Sequence, residues 1–174
     1  MIKKKKLKDL TNLSARNTAI RGFSIFGKNH TYLINNSNEI DYDLLNLFLK
    51  EFGKSKFLVF GFTIDIFNFL INKIDSKKLK NDFRNAFLLH GGGWKKIEEN
   101  KINNKIFKNK LLNKIKIKNV FNYYGMVEQT GSIFIECKYC HYFVTSNYSE
   151  VLIRDINFNV LKNGKKGFIQ LLSL

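Results

Sequence analysis

Proline is absent from this chain of 174 residues, and arginine nearly so: only Arg16, Arg21, Arg84 and Arg154 are present. Acid is also scarce, with 14 Asp+Glu against 30 Lys+Arg, for a formal net charge of +16. Long apolar runs are missing, because Lys, Asp or Asn interrupts each one, and this excludes a helical membrane span. No apolar segment follows the charged start MIKKKKLKDL, so a secretory signal is not expected and a cytoplasmic location is. Disorder is excluded by what is present. Hydrophobic residues make up 44% of the chain and aromatics 14%, with 17 Phe, which is too apolar for a chain that stays unfolded. The length suits one domain with a real core.

The excess of basic residues first suggests nucleic acid. The scarcity of Arg argues against that, since phosphate and base recognition favours the planar guanidinium fork. Lys, Asn, Ile and Phe share A/T-rich codons, whereas Pro needs C-rich ones. The composition therefore reads as drift towards Lys, and the charge as a solvated basic surface. A basic nucleic-acid-binding module stays open as an alternative, and it implies steeply salt-dependent RNA binding.

Residues 1–16 form a basic lead-in, expected to be frayed. IRGFSIF (20–26) and TYLI (31–34) read as short strands. Asp41 to Phe52 carries a helical stripe of Leu44, Leu45, Phe48 and Leu49 that ends at Gly53. FLVFGF (57–62) is a continuous apolar run, as in a buried parallel strand. A second amphipathic helix is expected from Ile64 to Lys73. AFLL (86–89) reads as another buried strand, and Trp94 to about Ile115 as one or two surface helices. IKNVF (117–121) reads as a strand that ends at the YGMVEQ turn. Later strands are expected at 132–136, 151–155 and 167–172, the last two joined by the turn Lys162-Asn-Gly164. Strands alternating with helices imply an α/β architecture with a mostly parallel sheet flanked by helices and a β-rich C-terminal end. Ligands of such sheets bind at loops beyond the carboxyl ends of strands. The loops at 91–93 and 124–129 are placed on one such rim.

HGGGWKK (90–96) puts three glycines after a buried strand. Gly91, Gly92 and Gly93 permit positive φ and close backbone approach to a phosphate or a flat base. Lys95 and Lys96 would add charge. The pattern is neither a P-loop nor G-x-G-x-x-G, and from the glycines alone a plain strand-to-helix turn is the better explanation. In YYGMVEQTG (123–131), an aromatic beside a glycine can stack on a base. Glu128 can offer one carboxylate oxygen to Mg²⁺. The bland alternative is a surface loop with a helix-start Glu.

Cys137-Lys-Tyr-Cys140-His141 has the spacing of a c-type haem attachment site. Haem would need export, for which no signal is seen. A structural zinc usually takes four ligands, and His30, His90 and His141 are the only histidines. The expectation is a pair of reduced thiols in a hairpin.

Five segments occur in one order: AIRGFSIFG (19–27), LVFGFTIDIF (58–67), LLHGGGWKK (88–96), YYGMVEQTGSIFIEC (123–137) and YSEVLIRD (148–155). Together they resemble the acyl-protein synthetase family of the LuxE type, within the adenylate-forming superfamily and related to phenylacetate–CoA ligases. The resemblance runs from about Asn17 to the end. It implies part of the large N-terminal adenylation domain, with ATP and Mg²⁺ as cofactors. The implied chemistry is activation of a fatty acid or other carboxylate as an acyl-adenylate, then transfer to a protein thiol. Tyr124 would stack on adenine, with Gly125, Met126 and Gln129 beside it. Glu128 would hold Mg²⁺, Gly91 to Gly93 would line the adenine and acyl side, and Asp155 would accept hydrogen bonds from the ribose hydroxyls. The Ser/Thr/Gly-rich phosphate loop is expected upstream of residue 1. The small C-terminal domain, with its catalytic lysine and acyl-accepting cysteine, is expected beyond Leu174. Residues 17–174 thus read as a partial domain, without a complete catalytic set and inactive alone. A complementary chain and a reductase-like acyl acceptor are the implied partners. A non-catalytic nucleotide-binding remnant stays open as well.

Overall fold

The computed structural model describes residues 15–94, 102–126 and 129–173. Residues 1–14 of the basic lead-in, Lys95, Lys96 and Glu128 lie outside them. Two compact units are present, Met1–Phe121 and Asn122–Leu174.

The first unit opens with helix α1 (Ala15–Ser24). The strand expected at 20–26 is therefore corrected: most of that segment is the last turns of a helix. Its β-branched and aromatic residues suggest a strand, but Ile20, Phe23 and Phe26 are three apart, and as a helix the segment stacks Phe23 on Phe60 with ring centroids 4.4 Å apart. TYLI is likewise irregular, with a single bridge from Ile34 to Ile40. Helix α2 (Tyr42–Phe52) begins where Asp41 caps it, its carboxylate accepting the Leu44 N–H at 3.0 Å. Its apolar stripe buries Leu45 and Leu49.

Strand β1 (Phe57–Phe62) follows at the bounds the apolar run predicts. It leads into a short helix α3 (Thr63–Ile66), which continues as a π-helical segment over Phe67–Lys73. There the Ile74 N–H reaches back five residues to Phe69 O at 2.8 Å. Strand β2 (Ala86–Gly91) pairs parallel with β1, from Phe57 opposite Ala86 to Phe62 opposite Gly91. Helix α4 (Asn104–Ile115) is capped by the Asn103 side chain and ends at Lys116 in the left-handed region. Phe107, Leu111 and Ile115 of α4 pack into a core with Leu45, Leu49, Ile66, Leu70 and Leu88. Strand β3 (Asn119–Met126) lies on the other side of β2 from β1.

β3 continues into the second unit. There it pairs antiparallel with β4 (Gln129–Glu136), and β4 with β5 (Phe143–Val144). β6 (Ser149–Arg154) and β7 (Phe168–Ser173) form a separate antiparallel pair. The chain is α/β with a mixed sheet. Parallel pairing, expected to dominate, is described for β1 and β2; the β-rich C-terminal end is antiparallel.

Gly167 stands at the start of β7, where a Cβ would lie 2.3 Å from Arg154 O and 3.0 Å from Ile153 Cγ2. No side chain fits there without moving backbone. Gly167→Ala is expected to part the β6–β7 pair at that end and cost about 1–3 kcal/mol. Faster amide exchange at Leu161, whose N–H bonds to Ile153 O at 2.7 Å, would report it; unchanged protection would refute the close-packing account.

Candidate functional site

The glycine loop forms where β2 runs out. His90 and Gly91 still belong to the strand and are buried, so β2 extends two residues beyond AFLL. Gly92 has φ +95, a conformation side chains rarely adopt, and a Cβ there would meet Phe62 Cδ1 at 3.2 Å. Gly93 is exposed with open space around it. The loop is held from the β1–α3 junction. Thr63 Oγ1 donates to Gly91 O at 3.1 Å and lies 3.0 Å from His90 Nδ1. A hydroxyl has one proton. With that proton on Gly91 O, the contact with His90 requires the imidazole to carry its proton on Nδ1 and donate it to Thr63. Both side chains are fully buried, and the His90 ring packs on Phe107 and Trp94 at 4.8 and 5.7 Å.

In the second unit, Tyr124, Gly125 and Met126 are not a loop beyond a strand. They are the last residues of β3, in a hairpin whose register shifts between Gly125 and Met126 before Gln129 opens β4. This corrects the placement of 124–129 as a rim loop; Glu128 lies outside the described residues. A strand puts alternate side chains on opposite faces, and the Tyr124 ring is 48% exposed. It rests near the rings of Phe134 and Phe143, 6.1 and 6.3 Å away. A Cβ on Gly125 would meet only ordinary contacts, the nearest Ser132 O at 3.7 Å. Packing therefore does not demand glycine beside Tyr124.

Asp155 follows β6. Its Oδ1 accepts the N–H groups of Asn157 at 2.9 Å and Asn159 at 2.8 Å, and its Oδ2 accepts Asn159 Nδ2 at 3.2 Å. These bonds, the Asn159 N–H foremost, hold its carboxyl below the usual Asp range. Its two oxygens are thus engaged in ordering their own turn. Arg154 beside it donates from Nε to Gln170 Oε1 across the β6–β7 pair.

A match to the family model described as acyl-protein synthetase, LuxE, extends over residues 5–174. The chain belongs to the acyl-protein synthetase (LuxE) family. No match to a curated protein was found. The five segments that carry the resemblance fall in both units of the synthetase-family chain. The first unit holds the glycine loop, and the second holds Tyr124 and Asp155.

The first unit of this acyl-protein synthetase family member also contains a cavity of about 500 Å³ that sequence reasoning missed. Phe23, Phe48, Phe57, Phe60 and Phe87 contribute to its wall, with Lys28 and Lys56 among the polar residues. The abundance of Phe was visible in the sequence, but not that so many rings would leave a space between them. Among the described residues no helix is long and apolar enough to cross a membrane, and no group of three His, Cys, Asp or Glu side chains is placed to hold a metal.

Two outcomes follow from this geometry. Thr63→Val removes the only hydroxyl between His90 and Gly91 and leaves buried polar atoms without it, an expected loss of about 1–3 kcal/mol in chemical denaturation; a neutral effect would show that the tie is incidental. The Asp155 turn has a signed pH dependence. Because the folded carboxyl is more acidic than in the unfolded chain, the stability it adds is complete above the ordinary Asp value and is lost as pH falls through the lowered one. Amide protection at Asn157 and Asn159, followed by NMR during acidification, should persist where ordinary aspartates are already half protonated. Loss in step with ordinary aspartates would contradict it.

Proposed function

We propose that this chain takes part in ATP-dependent activation of a fatty acid or other carboxylate, for transfer to a protein thiol. The observation that carries the reading is the match of residues 5–174 to the acyl-protein synthetase family. A carboxylate oxygen attacks the α-phosphorus of ATP and pyrophosphate leaves; a thiolate then attacks the acyl carbon of the adenylate, forming a thioester as AMP leaves. Such chemistry is accelerated mainly by positioning and by neutralising phosphate charge. Mg²⁺ supplies part of that neutralisation when bound, and Glu128 is the residue proposed to hold it.

The described residues fit their parts to different degrees. Tyr124 offers an exposed ring, with a small neighbour leaving room for a flat base. Gly92 and Gly93 offer backbone with no side chain in the way, at the carboxyl end of a parallel strand pair, where α/β sheets bind ligands. The Phe-lined cavity suits a hydrocarbon chain. Asp155 supports the reading least, because its own turn already uses both oxygens. A ribose would share that carboxylate or displace Asn159. A phosphate loop and a lysine-bearing small domain would come from further sequence or a complementary chain, and the acyl acceptor from a reductase-like partner.

Calorimetry with a non-hydrolysable acyl-AMP mimic tests the proposal. Tyr124→Ala should weaken binding by roughly tenfold or more, as expected for loss of a base-stacking ring worth about 1–3 kcal/mol. Equal affinity in the two proteins would remove Tyr124 from the site, and no binding by a folded sample would refute the nucleotide reading of these residues.

A further inference from the structure

The Cys137–Cys140 turn has no part in the acyl transfer just described. It caps the β4–β5 hairpin, as the sequence predicts, with the Cys137 N–H bonded to Tyr142 O at 2.8 Å. Both thiols are free. A bond from the His141 N–H to Cys137 O at 3.0 Å closes the turn, and His141 leaves it at φ +61. The Cys140 side chain hydrogen-bonds to that of Cys137, so the two thiols are already neighbours. A disulfide brings the two Cβ atoms to about 3.5–4.5 Å. A small inward movement would close the gap, and Lys138, Tyr139 and Cys140 are all exposed and packed against little.

The two sulfurs are not equivalent. Cys137 Sγ accepts the Tyr139 N–H at 3.4 Å. The Cys140 backbone N–H foremost, then this Tyr139 bond and the Cys140 side chain, push the Cys137 thiol below its ordinary range. Donors aimed at sulfur favour the thiolate, which is the attacking species in disulfide exchange. The nearest further candidate ligand, His141, has Nδ1 3.5 Å from the buried carboxylate of Glu136. That carboxylate in turn accepts the Asn122 N–H at 3.0 Å. With no three-ligand metal group among the described residues, thiol exchange is the chemistry this turn fits better.

We propose that Cys137 and Cys140 form a thiol–disulfide exchange pair, with Cys137 as the attacking sulfur and a low-molecular-weight disulfide as the oxidant. The Cys137 thiolate attacks one sulfur of the small disulfide; that S–S bond breaks and the first small thiolate leaves with the electron pair. Cys140 gives up its proton and attacks Cys137 Sγ, and the second small thiolate leaves. The two protein thiols are oxidised by two electrons, the small disulfide is reduced to two thiols, and the protons end on those thiols.

The test is incubation of the full chain with oxidised glutathione, acid quenching, intact mass and free-thiol titration. Wild type should lose both thiols together, with a mass lower by two hydrogens and no retained glutathione. Cys140→Ser should accumulate one glutathione on Cys137. Cys137→Ser should react roughly tenfold more slowly, in line with the dependence of exchange on thiolate fraction, and the difference between the two variants should vanish in urea. Stable adducts on wild type, disulfides between chains, equal rates in the two variants, or a difference that persists in urea would each overturn the proposal.

Discussion

The hydroxyl of Thr63 is where the first unit's local choices meet. A parallel pair such as β1 and β2 has no hairpin to fix its ends, so side-chain packing helps to set its register. Thr63 stands one residue past β1 and bonds to Gly91 O and His90 at the end of β2, so both strands stop at the same level. The glycines can then depart from the strand at a defined place, with Gly92 taking the positive φ and Phe62 lying close below it. His90 is tolerable in the interior for the same reason. Its Nδ1 is paired, and its ring sits among Trp94 and Phe107 as an aromatic would. Gly91 is held by the sheet and by Thr63, whose Oγ1 also lies 3.4 Å from Gly92 O, and Gly93 has open space around it.

Legibility in the sequence followed how local each signal was. FLVFGF is apolar throughout and lies between breaks, so its bounds could be read directly. Asp41 announced α2, because a cap acts within one turn. IRGFSIF misled because its apolar, β-branched and aromatic composition was read ahead of its spacing of three; the segment stacks Phe23 on Phe60 as a helix. YGMVEQ misled in the other direction. A glycine after a strand suggests a stop, yet pairing of Gly125 with Ile133 carries β3 through it. Long-range pairing decides such cases, and it leaves little trace in a single stretch.

The candidate site divides along the same line. The glycines and the aromatic at 124 could be noticed from residue type, because glycine supplies open backbone and an aromatic a stacking face, but their roles came from the family resemblance. Thr63 could not, because its role depends on residues 27 and 28 positions away. Asp155 was named through the family resemblance alone, and it stands just past the end of β6. Its hydrogen bonds are spent on its own turn, which is what short polar side chains do after strands. A role for it in ligand binding has to compete with bonds already made.

The excess of Lys looks different once individual side chains are followed. Lys114 Nζ reaches Ile71 O and Asn72 O, at the C-terminal end of the π-helical segment. Carbonyls without helical partners collect there, and a cation suits the negative end of the dipole. Lys73 lies 5.0 Å from the Phe69 ring and Lys78 5.2 Å from the Tyr42 ring, distances suited to cation–π attraction. Each of these lysines has a local partner that a long flexible stem can reach. These three are turned back onto their own chain and keep their charge, three among 30 Lys and Arg.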